Sequence, residues 1–443
     1  MASVGPRGSD ENNGSFNIAG GSVDLPSPQR SAPPAPLSVL PLKVLLRSLL
    51  VNTVSCSKPL LLPSMYFLSV LASSQSRLLN PDRNPLLRYV IKRLFYAQFC
   101  AGENRAEVGA TIAALKELGY SGVILNYARE AVAEESSSHA KVGATKAPKE
   151  EECLNEITPW AEGTMETITM AQPGDFVALK FTGAGRQALF TLANRQAPPT
   201  ALANAIDSIC DLAASRGVRL LFDAEQAALQ PGIDDWTLEY MRKYNRGRTC
   251  VYGTYQAYLK GCADVLSAHL RTAQQEGFHL GVKLVRGAYI NSDPRHLIHD
   301  TKADTDAMYD GIARAVLMRA WDPPLNGSGE FPETSLVVAS HNAESVRLAR
   351  EVVERGEAKS EVDFAQLMGM ADEISTTLLP GAAGAGSPGM RAYKYVSWGT
   401  TGECMKYLLR RAYENRDAVA RTREGRDAMA RELVRRVKSM FAV

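Results

Sequence analysis

The 443-residue sequence lacks the residue groupings of several common chemistries. Its seven cysteines, Cys56, Cys100, Cys153, Cys210, Cys250, Cys262 and Cys404, are scattered, odd in number and form no C-x-x-C. Such spacing suits neither a zinc site nor a disulfide framework, and it reads as reduced thiols in an intracellular compartment. The six histidines are equally dispersed, with no H-E-x-x-H, which argues against a histidine metal site. There is no G-x-S-x-G nucleophile elbow. No G-x-G-x-x-G follows an apolar run, which weakens a doubly wound dinucleotide fold. Charge of one sign is not in excess: 50 Lys plus Arg face 48 Asp plus Glu. That balance is unlike a dedicated nucleic-acid binder. Long apolar runs are missing too. Lys43, Arg47 and Lys58 interrupt the leucine-rich N-terminal stretch, so no run reaches the roughly 18 residues of a membrane span.

What is present is an apolar fraction of 45%, enough for a full core. Residues 1–36 are rich in Gly, Ser, Asn and Pro and carry too little apolar surface to order themselves. Asp10, Glu11 and Asp24 make this segment a poor transit peptide. A helical arm is expected over 37–103. Within it, Lys43 and Arg47 lie four apart among leucines, the pattern of a basic amphipathic helix for a membrane surface or for docking on its own domain. From residue 104 short apolar runs alternate with amphipathic stretches. The runs begin near residues 122, 176, 219, 249, 280, 335, 362 and 392. Eight strands alternating with helices imply an α/β fold, a closed (β/α)₈ barrel over 104–420 with additional N-terminal helices. The charged, small-residue segment 131–153 reads as a surface insertion, 378–390 as a flexible loop, and 421–443 as a basic C-terminal helix.

In such barrels the chemistry sits at the C-terminal ends of the strands. Polar residues expected there include Lys180 and Thr182 after the second run, Asp223 and Glu225 after the third, Gln256 in the fourth, and Lys283, Arg286 and Tyr289 in the fifth. His341 follows the sixth run, Tyr395 lies in the eighth, and Arg410, Arg411 and Glu414 lie on the helix behind it. A cationic, aromatic mouth of this kind suits an anionic ligand, a carboxylate or a phosphate. With no nucleophile pair or metal cluster in view, the reactivity is expected to come from a bound cofactor. Each residue also has a plainer reading: Arg410 and Glu414 as a surface i, i+4 pair, His341 as a structural histidine, Tyr289 and Tyr395 as rim aromatics.

The segments LFDAEQ, YGTYQAYL, KLVRGAY, ASHN, QLMGM and YLLRRAYEN, in this order, resemble the proline dehydrogenase family over about residues 85–420. The resemblance is to its fungal and animal mitochondrial, stand-alone branch. It implies FAD at the strand ends, oxidation of L-proline to Δ1-pyrroline-5-carboxylate by hydride transfer to the flavin, and electron delivery to a quinone. It also implies peripheral association with the matrix side of the mitochondrial inner membrane. By position, Arg410 and Arg411 would hold the proline carboxylate, with Lys180 as a third cationic contact. Tyr289, Leu367 and Tyr395 would pack on the pyrrolidine ring. Asp223 would orient Lys180 or an arginine, and Glu414 would fix Arg411. Gln256, Lys283 and Val285 would line the isoalloxazine, while Lys302 and His341 would lie at the pyrophosphate and adenosine end. Glu130 would gate the site by pairing with Arg410. Met368 and Trp398 depart from the family pattern near the eighth strand.

Other readings compete: a cofactor-free lyase with Lys180 as Schiff-base amine, a membrane-associated scaffold or proline sensor, and a preference for hydroxyproline.

Overall fold

A computed structural model describes residues 35–74, 76–128, 150–382, 389–417 and 419–441. Eight strands run β1 Gly122–Tyr127, β2 Phe176–Leu179, β3 Arg219–Phe222, β4 Val251–Gln256, β5 Leu280–Val285, β6 Thr334–Ala339, β7 Glu361–Leu367 and β8 Ala392–Trp398. They pair in sequence order into a closed barrel. All pairs are parallel, and β8 returns to β1 with Tyr395 opposite Ile124. The expected (β/α)₈ class is borne out. Parallel strands covered on both faces need apolar residues in and out, so each strand reads in the sequence as a short continuous run. Ile124, Phe176, Ala178, Leu221, Tyr252, Val337, Ala365 and Tyr393 fill the interior. The larger core lies between the strands and the helical ring.

Local signals stop and start the ring helices. Thr200–Arg216 and Cys262–Glu276 end on Gly217 and Gly277 in the left-handed region, where glycine carries no Cβ penalty. Lys302–Met318 opens with a capping box between Thr301 and Asp304. Ala343–Glu354 is capped by the Asn342 side chain, which accepts from Glu344 N and Ser345 N. The sequence reading passed over the helix Glu150–Met170, which contains Pro159. Its first turn overlaps the end of the expected insertion, and Cys153 is buried there. Residues 1–34, 129–149 and 383–388 lie outside the described residues, and with them the N-terminal segment, most of the insertion and the middle of the 378–390 loop.

The arm packs on the barrel through its own apolar cluster, in which Val51, Leu61, Met65, Leu68, Tyr96 and Phe99 meet Met405 and Leu408 of the Thr401–Asp417 helix. The expected basic face of the first arm helix, Leu42–Cys56, is corrected. Lys43 is exposed, but Arg47 turns inward and donates to Gln98 Oε1 at 2.9 Å. Burial holds the Arg47 guanidinium below its ordinary pKa, with Asp372 opposing. The large apolar residues left exposed on this helix are Leu42, Leu46 and Leu50. The C-terminal helix Val419–Phe441 docks against this part of the arm: Met429 joins Leu37, Leu40 and Leu45, and Arg436 donates to the carbonyls of Leu37, Ser38 and Leu40. Among the described residues no single helix is long and apolar enough to cross a membrane.

Candidate active site

Three strands deliver the central contact of the barrel mouth. Lys283 points inward from β5, beside Val337 of β6 in the register. Its ammonium lies 2.5 Å from Asp223 Oδ1, just past β3. Tyr395, on β8, donates its hydroxyl to Asp223 Oδ2 at 3.1 Å, and the Lys283 ammonium stands 5.2 Å from the Tyr395 ring centroid. Both charged groups are nearly buried, with side chains 8% and 9% exposed. Two opposite charges this dry are tolerable only when paired and hydrogen-bonded. The expected partner of Asp223, Lys180 or an arginine, is thereby corrected to Lys283. The reason is register: Lys180 follows a four-residue β2, while Lys283 lies within β5, facing the barrel axis.

Glu225, two residues beyond Asp223, is also a buried carboxyl at this end. The Glu225 carboxylate accepts from Thr182 N at 3.1 Å and from the Thr182 hydroxyl. Burial pushes its carboxyl up to about 7, with Lys180 the largest opposing influence. The sequence reading noted Glu225 and Thr182 at strand ends but gave neither a role. Their spacing, each two residues past a flagged charge, was the available signal. Gln256 ties the next strand in: its Nε2 donates to the Glu225 carbonyl at 3.3 Å and its Oε1 accepts from Ala288 N at 3.1 Å. That bond fixes the turn after β5, where Gly287 is obligatory because a Cβ there would meet the Tyr258 ring at 2.3 Å. Tyr289, in the same turn, is buried, and Val285 closes β5 half-buried.

On the β6–β7 side, His341 Nε2 accepts from Leu367 N at 3.0 Å. That nitrogen is therefore unprotonated, and the imidazole proton of the neutral ring sits on Nδ1. Leu367 is half-buried and joins the arm cluster. A third group lies toward β5 and β6. Arg286 Nη2 and Lys302 Nζ each approach Asp306 to 2.5 Å, and Arg286 also donates to Ser345 Oγ at 3.0 Å. Lys302 is largely exposed and meets this side through Asp306. Arg411 is buried on the Thr401–Asp417 helix with its guanidinium 4.9 Å from the Tyr407 ring centroid. The side chains of Arg410 and Glu414, and all of Glu130, lie outside the described residues. Trp398 packs outward, stacked on Tyr127 at 4.7 Å and donating to Thr167 Oγ1, so this departure serves the β1–β8 seam. Met368 N donates to the Tyr395 carbonyl.

The arm touches this end of the barrel at Gln98. Its Nε2 donates to Ser48 Oγ at 2.9 Å and to the Gly369 carbonyl at 3.1 Å. Gly369 has φ +73° and a Cβ there would strike Gln98 O at 2.2 Å. The turn after β7 is thus set against the arm.

Among the described residues there is no cluster of His, Cys, Asp or Glu that could hold a metal. The mouth therefore offers cationic and phenolic donors, a neutral histidine and a buried carboxyl near neutrality.

The family model for proline dehydrogenase matches residues 108–424. A Schizosaccharomyces pombe protein named probable proline dehydrogenase, mitochondrial, is 33% identical over 404 residues, covering 80% of this chain and 81% of that protein. Human proline dehydrogenase 1, mitochondrial, is 36% identical over 251 residues, covering 54% of this chain and 39% of the human protein. A Xenopus laevis hydroxyproline dehydrogenase is 34% identical over 238 residues, 52% of this chain and 49% of that one. Against the human protein, the matched region thus spans under two-fifths of the relative's length. Proline utilization A from Bdellovibrio bacteriovorus, solved after inactivation by N-propargylglycine, shares the fold at a TM-score of 0.61 and 18% identity, covering 84% of this chain and 38% of that one. With the family model over most of its length and a relative one-third identical across four-fifths of it, the chain belongs to the proline dehydrogenase family.

Proposed function

We propose that the chain oxidises L-proline to Δ1-pyrroline-5-carboxylate, with FAD held at the strand ends and a quinone as the eventual electron acceptor, in the mitochondrion at the matrix face of the inner membrane. The observation that carries the reading is the Lys283–Asp223–Tyr395 contact, buried at the C-terminal end of a barrel of this family. The donor set fits a flavin dinucleotide. Arg286 Nη1 and Thr254 Oγ1 are buried without a hydrogen-bond partner among the described residues. Such donors are costly unless a ligand completes them. When bound, the flavin supplies what no side chain has, the capacity to accept a hydride from an amine-bearing carbon.

In this reading Gln256, Lys283 and Val285 line the flavin ring, and Lys302 and His341 serve the pyrophosphate and adenosine end. Arg411 and Arg410 bind the proline carboxylate as planar forks, with Lys180 adding charge. Tyr289, Leu367 and Tyr395 exclude water from the ring. Glu414 steadies Arg411, and Glu130 gates the site. Fixing the carboxylate orients the reacting carbon, and orientation alone supplies several kcal/mol of a barrier of this kind, on the order of 7–11 for ideal alignment. The surrounding cations favour the neutral proline amine, whose lone pair assists the transfer.

Membrane contact is assigned to the arm rather than to Arg47. Leu60, Leu62, Tyr66 and Phe67 are exposed on the Lys58–Ser73 helix, and Leu86, Tyr89 and Val90 on Pro85–Ile91. An apolar surface of this kind suits the acyl boundary of a bilayer. Sedimentation with anionic liposomes should fall in Tyr66→Ser/Phe67→Ser, and unchanged sedimentation would remove the arm from this role.

An absorption spectrum taken before and after anaerobic addition of L-proline tests the main reading. A flavin spectrum that bleaches is the expected result, with hydroxyproline assayed beside it. A flavin spectrum indifferent to both amino acids moves the doubt to the substrate. A colourless protein that FAD does not reconstitute overturns the reading and brings forward a Lys180 lyase.

A further inference from the structure

The opposite end of the barrel holds a second group of cations that the reading of the mouth leaves unused. Arg219 opens β3, Arg391 immediately precedes β8, and Arg248 lies just before β4. These three, with Thr249, Glu361 and Tyr393, line a cavity of about 280 Å³. That is close to the lower end of small-molecule sites, roughly 300–1,000 Å³. Asp223 follows β3 at its far end, so the cavity and the mouth face away from each other.

The charges here do not cancel. Arg219 pairs with Asp363 at 2.7 Å, and Arg391 pairs with Glu361 and, at 2.8 Å, with Asp363. Two carboxylates thus serve two guanidiniums. Arg248 is the third. Among the described residues no carboxylate stands within ion-pair distance of it, and its guanidinium donates to the Ala214 carbonyl at 2.8 Å. A plug that merely closed the barrel floor would need the two pairs and not the extra cation.

The floor is also rigid. Arg219 lies 3.6 Å from the Phe176 ring centroid and donates to Tyr393 OH at 2.8 Å and Gly174 O at 2.7 Å. The buried Tyr252 hydroxyl also interacts with this guanidinium. Gly174 and Gly217 line the cavity with backbone only, and a Cβ built on Gly174 meets nothing within 4 Å. The space is therefore not filled by the chain's own side chains.

We infer that this cavity at the N-terminal end of the barrel binds a small anion, through a carboxylate or phosphate group that takes the fork of Arg248 beside the fixed guanidinium of Arg219. Oxyanions of both kinds match a planar guanidinium bidentately. The pre-set position of Arg219 lowers the ordering cost of binding. The inference is independent of what the mouth binds.

Isothermal titration of the full-length, flavin-loaded protein with inorganic phosphate and, separately, with succinate decides it. Saturable binding of at least one probe is expected, and which probe binds distinguishes a phosphate from a carboxylate ligand. Arg248→Ala should weaken that binding at least tenfold. Arg248 is exposed and outside the paired floor, so this variant should keep the wild-type melting temperature. Lys180→Ala, at the mouth, should bind the probe as the wild type does. No saturable binding of either probe below about 10 mM, equal binding by Arg248→Ala, or loss of binding in Lys180→Ala would each overturn the inference.

Discussion

Asp223 and Lys283 meet across the barrel mouth at 2.5 Å, brought together from β3 and β5 with β4 between them. Their side chains are 9% and 8% exposed, so neither charge has water as a substitute partner. Removing the acid alone leaves an uncompensated buried ammonium. Asp223→Ala should therefore lose about 3–5 kcal/mol of stability, and Asp223→Ala/Lys283→Met should recover a large part of it. Urea unfolding of both variants measures this. Wild-type stability in Asp223→Ala would mean that the pair is not dry in solution.

Tyr395 holds the other oxygen of Asp223 at 3.1 Å. Tyr395→Phe keeps the ring, and its contact with Lys283, but removes a hydrogen bond to a charged acceptor, worth about 1.5–3 kcal/mol. Because Asp223 retains Lys283, the fold should lose less than the site does. Steady-state kinetics should show kcat/KM for proline down about tenfold or more, with a small change in melting temperature. A large stability loss with intact kinetics would make Tyr395 a structural residue only.

Arg411 is buried on the Thr401–Asp417 helix that follows β8. Arg411→Lys keeps the charge and removes the planar fork. The proline KM should rise about tenfold or more while flavin absorbance per protein stays constant. Unchanged kinetics would end the proposal that Arg411 binds the carboxylate. A colourless variant would assign Arg411 to the cofactor instead.

The barrel was legible because every strand of a two-faced parallel sheet must be apolar over its whole length. The helix Glu150–Met170 was not: Pro159 and its acidic, threonine-rich sequence blur the helical period, although Cys153, Ile157, Trp160 and Ile168 do reach the core. Strand ends also placed Asp223, Lys283 and Tyr395 at one mouth. Which lysine Asp223 takes depends on strand length and register, and those are set by contacts distant in sequence. Arg47 shows the same limit. Its spacing from Lys43 suggests a shared wet face, but its partner Gln98 comes from 51 residues away. Local pattern finds the elements and the residue types of the site, while pairings are decided by tertiary packing.

Glu225 makes the mouth sensitive to pH. Burial raises its carboxyl from an ordinary 4.5 to about 7. A folded-state value above the unfolded one means that the protonated form is the one the fold favours. The associated stability is fully present below pH 4.5 and is lost as pH rises through about 7. A shift of this size corresponds to about 3 kcal/mol. Glu225→Gln keeps the shape and cannot ionise, so its Oε1 still accepts from Thr182 N. The stability of this variant relative to wild type should therefore rise by about 3 kcal/mol between acidic and mildly alkaline pH. Urea midpoints collected across that range give the difference directly. A difference that does not vary with pH would show that Glu225 titrates in the fold as it does in the unfolded chain, and would remove it as a pH-sensitive group.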